Sequence, residues 1–120
     1  MNKYEALHKF WSSFGVEAYD ENTVPDDAKL PYITYSVSVG SFDYPVSATV
    51  SIFDRSMKWV SVTEIANRIE NALKNGGVNL DYDDGTIWVR MGTPWAQRLS
   101  DVSNDTIRRI VLNLEVEFIS

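Results

Sequence analysis

The chain has 120 residues, 44% of them hydrophobic and 23% charged, which suits one soluble domain with a modest core and argues against a second. Seventeen acidic against eleven basic residues leave a net charge of −6, the wrong sign for a domain that grips nucleic acid through its phosphates. Cysteine is absent, which excludes disulfides, thiolate nucleophiles and Cys-type zinc sites together.

No apolar run approaches the ~20 residues of a membrane span. Lys3, Glu5, His8 and Lys9 interrupt every apolar stretch near the N-terminus, so no secretory signal is expected there. Asn2 to Phe14 predicts a first helix. Tyr4, Leu7, Trp11 and Phe14 recur at helical spacing, Asn2 can cap the start, and Gly15 can end it. His8 is the single histidine, beside Leu7 and Trp11, and reads as structural or solvent-facing. Val16 to Leu30 reads as a polar, acidic connection, bracketed by Pro25 and Pro31.

Pro31 to Asp54 predicts a hairpin. Ile33, Tyr35, Val37 and Val39 share one face of its first strand, and Val46, Ala48, Val50 and Ile52 one face of its second. The opposite face offers Thr34, Ser36, Ser38, Ser47, Thr49 and Ser51. It carries hydroxyls and no charge, where a solvated sheet face usually carries Lys and Glu. Two readings stand: a small-residue face under a helix or in water, or a face that packs on another protein copy. The turn contains Phe42 and Tyr44, which either fold back onto the sheet or are presented to a partner.

Ser61-Val62-Thr63-Glu64 has capping-box form and opens a second helix, with Ile65, Ile69, Ala72 and Leu73 as its apolar stripe and Asn75-Gly76-Gly77 as its stop. Val78 to Met91 predicts a second hairpin around Asp83-Asp84-Gly85. Gly92 to Thr106 reads as a long loop anchored by Trp95 and Leu99, either docking on a neighbour or capping the core edge. Ile107 to Ser120 predicts a central strand, with Ile110, Leu112, Leu114, Val116 and Phe118 inward. The expected fold is α+β, in the order α-β-β-α-β-β-β. It is an antiparallel or mixed sheet of about four to five strands, with two helices packed against it. Residues 1–120 form one domain in this reading.

The sequence shows no catalytic, cofactor-binding or metal constellation: no GxSxG, no phosphate-cradling glycine loop, no HExxH. The expectation is therefore a protein that acts through surface and assembly, not an enzyme. Candidate interface residues are Thr34, Ser36, Ser38, Phe42, Tyr44, Ser47, Thr49, Trp95 and Arg98.

Three segments carry a family resemblance: Pro31-Tyr32-Ile33-Thr34-Tyr35, Gly92-Thr93-Pro94-Trp95-Ala96-Gln97-Arg98, and Ile107-Arg108-Arg109 followed by Asn113. In these, and in order over most of the chain, the sequence resembles the small tail-terminator (tail-completion) proteins of long-tailed bacteriophages. The resemblance implies a sheet packed by helices and a self-assembled, hexameric ring. Such a ring caps the tail tube protein, ends tail polymerisation, and meets the head connector in the neck of the virion, after assembly in the host cytoplasm. DNA passes through without specific binding, and neither a membrane nor a cofactor is implied. The alternatives are another neck protein on the head side, or a small-ligand-binding α+β domain with a pocket near Trp11, Trp59 and Trp88.

Overall fold

The structure is a computed structural model and describes residues 1–36, 45–55, 59–100 and 106–119. Its first helix, α1 (Lys3–Trp11), starts where the sequence places it. The Asn2 side chain accepts from Glu5 N at 2.9 Å, and the Glu5 carboxylate accepts from Asn2 N at 3.1 Å, so two orphan amides are satisfied reciprocally. A 3₁₀ turn over Ser12–Phe14 follows, and Gly15 ends it at φ +87°.

Six strands come next in two groups of three: β1 (Glu17–Asp20), β2 (Tyr32–Tyr35) and β3 (Pro45–Arg55), then helix α2 (Val60–Leu73), then β4 (Val78–Tyr82), β5 (Gly85–Ser100) and β6 (Ile107–Ile119). They form one curled, half-barrel sheet in the order β1-β2-β3-β6-β5-β4. This corrects the expected fold. Among the described residues there are six strands rather than four to five, and the chain order gains a strand before α2. The sheet is mixed, because β1 pairs parallel to β2 while every other pairing is antiparallel.

The extra strand lies inside what reads as a polar connection. It is four residues long with charge at both ends, and only Ala18 is buried, so it offers no alternation to detect. The second correction concerns 92–106. Residues 92–100 do not form a loop but continue β5, which pairs with β6 on both sides of an irregularity. Met91 faces Leu114 and Ala96 faces Leu112, so five steps along β5 accompany two along β6. Gly92 and Pro94 are strand breakers in sequence, and the bulge hides the period. A third correction concerns α2. It begins at Val60, its N-cap is Trp59, and no side chain caps it, so Ser61 and Glu64 make no capping box.

Alternation along β6 divides the sheet. Ile110, Leu112, Leu114, Val116 and Phe118 point to the inner face, where both helices cover them. Leu7 and Trp11 of α1 and Val62, Ile65 and Ile69 of α2 join one continuous core with Ile33, Val50, Ile52, Ile87 and Val89. Ala72, expected in the apolar stripe, is exposed, and Ala66 is buried instead. After α2, Gly77 (φ +88°) passes so close to β5 that a Cβ there would lie 2.3 Å from the Val89 carbonyl oxygen. Among the described residues, both helices pack on the inner face of the sheet.

Candidate interface groove

The register between β3 and β6 sets the outer face. Ser47 lies opposite Glu115, Thr49 opposite Asn113, Ser51 opposite Val111 and Phe53 opposite Arg109. The hydroxyl row expected from sequence is real, but it is not uniform. Thr34 and Ser51 are buried, at 8% and 4% exposure. Tyr19, Tyr32 and Phe53 form a cross-strand aromatic ladder with centroids 5.8 and 5.3 Å apart, and Arg109 continues it. Arg109 also donates from Nε and Nη2 to Ser51 Oγ at 3.2 and 2.9 Å. Ser36 is consumed by the sheet itself. Its hydroxyl donates to the Thr49 carbonyl at 3.2 Å and accepts from Thr49 N at 2.9 Å, extending the β2–β3 ladder past the last residue of β2.

Among the described residues, a groove of about 270 Å³ lies on the outer face, between the start of β3 and the β5 bulge. Ser36, Ser47 and Thr49 form one wall, Gly92, Thr93 and Pro94 the other, and Asn113 and Glu115 the floor between them. Two features build the second wall. Gly92 sits against β6 so tightly that a Cβ would come 2.9 Å from the Asn113 carbonyl oxygen. Asn113 then donates from Nδ2 to the Pro94 carbonyl at 2.7 Å and pins the bulge where the chain leaves register. Glu115 is the one charged residue among the described lining residues, and Arg90 pairs with it at 3.1 Å while also reaching Glu117 at 3.4 Å. The Arg90 guanidinium is itself stacked 3.9 Å from the Trp88 ring.

The structure thus brings together Ser36, Ser47 and Thr49 and adds Thr93, Pro94 and Asn113, which are absent from the sequence candidates. The outward phase of Asn113 matches that of Thr49, but only the β3–β6 adjacency turns that match into a shared surface. Ser38, Phe42 and Tyr44 lie outside the described residues. Trp95 is not in the groove. It is half-buried against α2 on the inner side, by Thr63, Asn67 and Glu70. Arg98 is exposed at the far end of β5, its guanidinium 5.0 Å from the Trp59 ring.

A second polar cluster joins α1 to β2. His8 Nδ1 lies 3.1 Å from the Tyr35 hydroxyl, and Ser12 Oγ lies 3.4 Å from His8 Nε2. Burial, followed by the charge of Asp20, raises the Tyr35 phenol above its ordinary value of 10.0. Trp11 is buried in the core while Trp88 lies on the outer face, where its Nε1 donates to the Gly76 carbonyl at 2.8 Å. Trp11, Trp59 and Trp88 therefore line no common pocket among the described residues. Among those residues no group of three or more His, Asp or Glu side chains is placed to hold a metal ion, and no helix is long and apolar enough to cross a membrane. No family model matches the chain, and no curated protein matches it.

Proposed function

We propose that this chain is a phage virion structural protein that caps the tail tube as a homo-oligomeric ring, ends tail polymerisation and forms the joint with the head connector. The observation that carries the reading is the Asn113–Pro94 hydrogen bond. It ties two of the segments that carry the family resemblance, the 92–98 stretch and the strand after Ile107-Arg108-Arg109, into a wall and the floor of one surface groove. The same groove takes its other wall from the hydroxyl row of β3.

A groove of this composition suits a protein partner. Hydroxyls, an amide and an ion-paired carboxylate can meet backbone and polar groups of a partner through hydrogen bonds. A ring closes when one patch of each copy meets a different patch of the next, a heterologous contact that rotation brings back on itself. The net charge of −6 keeps such a ring from holding the DNA that threads it.

The test is association. Size-exclusion chromatography with light scattering, on the protein alone and with purified tail tubes, should give a ring-sized species that co-sediments with tubes. A protein that stays monomeric and never co-sediments contradicts the reading. In a phage that encodes the chain, deletion should give over-long tails. Normal tails with leaking heads would move the protein to the head side of the neck.

A further inference from the structure

The sheet order leaves β4 at an edge, where among the described residues it pairs with β5 alone. The two-residue turn Asp83-Asp84 makes Tyr82 and Gly85 a hydrogen-bonded pair, and the register continues it to Leu80–Ile87 and Val78–Val89. The backbone N–H and C=O groups of Asn79 and Asp81 therefore point away from β5, toward the open edge. Asp83 has the same phase, and its N–H donates to the Met1 carbonyl at 2.8 Å. One rung of the edge is thus already filled by backbone from another part of the chain. Met1 fills only that rung, because Asn2 caps α1 and turns the chain into the helix. The rungs at Asp81 and Asn79 have no such backbone partner among the described residues.

A groove of about 430 Å³ runs beside these two rungs, between β4 and α1. Asn79, Leu80 and Asp81 all line it, although successive residues of a strand face opposite sides, so the groove follows the edge itself rather than one face of the sheet. The helix supplies Ala6, Lys9 and Phe10 to the other wall. Phe10 is fixed there by edge-to-face contacts with Trp11 and Phe14, at centroid distances of 4.8 and 5.3 Å. Phe10 and Leu80 pack on the core yet stay half-buried. Asp81 accepts from Thr86 Oγ1 at 3.2 Å, directly across the hairpin, which turns its carboxylate toward β5 and not over the edge. A charge held over the edge is a usual protection against strand addition, and Asp81 does not supply it.

We propose that this edge takes an extended segment of a protein partner as a further strand, with its backbone on the Asn79 and Asp81 rungs and a branched apolar side chain set between Leu80, Ala6 and Phe10. The edge itself names the occupant. Backbone donors and acceptors repeating at every second residue are matched by another extended backbone, while the groove beside them selects apolar residues at alternate positions. Lys9 and Asp81 stand on opposite walls, so a segment without net charge suits both. β4 is separated from β3 by β5 and β6, so this site is distinct from the outer-face groove and stands whether or not the protein closes a ring.

The probe is the synthetic peptide acetyl-Thr-Val-Thr-Val-Thr-amide, titrated into isotope-labelled protein and followed by amide NMR. Saturable shifts are expected at the amides of Asn79 and Asp81 and at Lys9 and Phe10 across the groove. Two further peptides carry N-methyl groups on alternate residues, one in each phase. Alternate N–H groups of a strand face one side, so one phase should bind like the parent and the other at least roughly tenfold more weakly. Asn79→Pro removes the outward N–H and leaves the β4–β5 ladder intact, so by circular dichroism it should fold, and it should lose the peptide. If that variant misfolds, the two N-methylated peptides still decide. The absence of a saturable shift at β4, or equal binding of both N-methylated phases, overturns the inference. So does a concentration-dependent dimer of the protein alone with slowed exchange at the Asn79 and Asp81 amides, because the occupant is then a second copy of this chain. None of these results depends on whether the protein caps tail tubes.

Discussion

Gly92→Ala should lower stability without touching a helix, a cap or the core. The φ of Gly92 lies outside the left-handed region, so alanine's backbone preference is not the obstacle. The added methyl is. It would lie 2.9 Å from the Asn113 carbonyl oxygen, 3.0 Å from its carbon and 3.2 Å from Leu114 N, all backbone atoms. Those atoms belong to β6, which β3 and β5 hold from both sides, so they cannot swing away as a flexible side chain would. Overpacking of this kind costs about 1–3 kcal/mol, while the smaller unfolded-state entropy of alanine returns about 0.4–1 kcal/mol. A net loss of about 1–2 kcal/mol remains. Near 60 °C the unfolding entropy of 120 residues is roughly 0.25 kcal/mol/K, so Tm should fall by about 4–8 °C. Thr93→Ala, one residue on and exposed, should move Tm by no more than about 2 °C. Thermal unfolding followed by circular dichroism measures both. A Gly92→Ala protein that melts with wild type, or above it, would refute the close β5–β6 approach on which the groove wall depends.

The remaining expectations concern α2, the groove and pH. Gly77→Ala meets both a φ of +88° and the Val89 carbonyl at 2.3 Å, whereas Gly76→Ala meets φ +91° in open space. Urea unfolding should show a loss of about 1–2 kcal/mol for Gly76→Ala and a clearly larger one for Gly77→Ala. Equal losses would mean the turn after α2 is not packed on β5. Thr49→Lys and Thr93→Lys place a charge in either wall of the groove at exposed positions, so the monomer should fold normally while tube binding drops at least roughly tenfold. Undiminished co-sedimentation would show the groove to be scaffold. Tyr35 gives a pH signature. Its folded phenol holds its proton to higher pH than the unfolded one, so the stabilisation is complete below pH 10.0 and is lost as pH rises through the raised folded value. Tyr35→Phe should flatten that alkaline loss, and an unchanged stability profile between the two proteins would contradict the assignment.

Much of the fold is legible in the sequence where one face is apolar and long enough to read. β6 shows five inward residues in strict alternation, α1 announces its cap at Asn2, and Asp83-Asp84 marks the second hairpin. The failures share a cause. β1 is defined by its partner rather than by its own pattern, since only Ala18 enters the core. The far half of β5 is a strand despite Gly92 and Pro94, because a bulge absorbs the residues that alternation cannot place. Trp59 replaces the expected Ser61–Glu64 box at the start of α2 because the helix begins one residue before Ser61. For the site, the hydroxyls of β3 are visible in sequence, yet nothing local says that Asn113 and Pro94 will stand beside them. That juxtaposition comes from β6 inserting between β3 and β5, a tertiary choice that no window of residues contains. The same insertion brings Arg109 onto Ser51 and removes that hydroxyl from the open surface.

The central claim is that this chain closes a ring on the end of a tail tube. The most direct measurement is electron microscopy of purified tail tubes incubated with the protein. The expected result is a ring at one end of each tube and no further growth when tube subunits are added. Bare ends, with elongation continuing at the untreated rate, would contradict it.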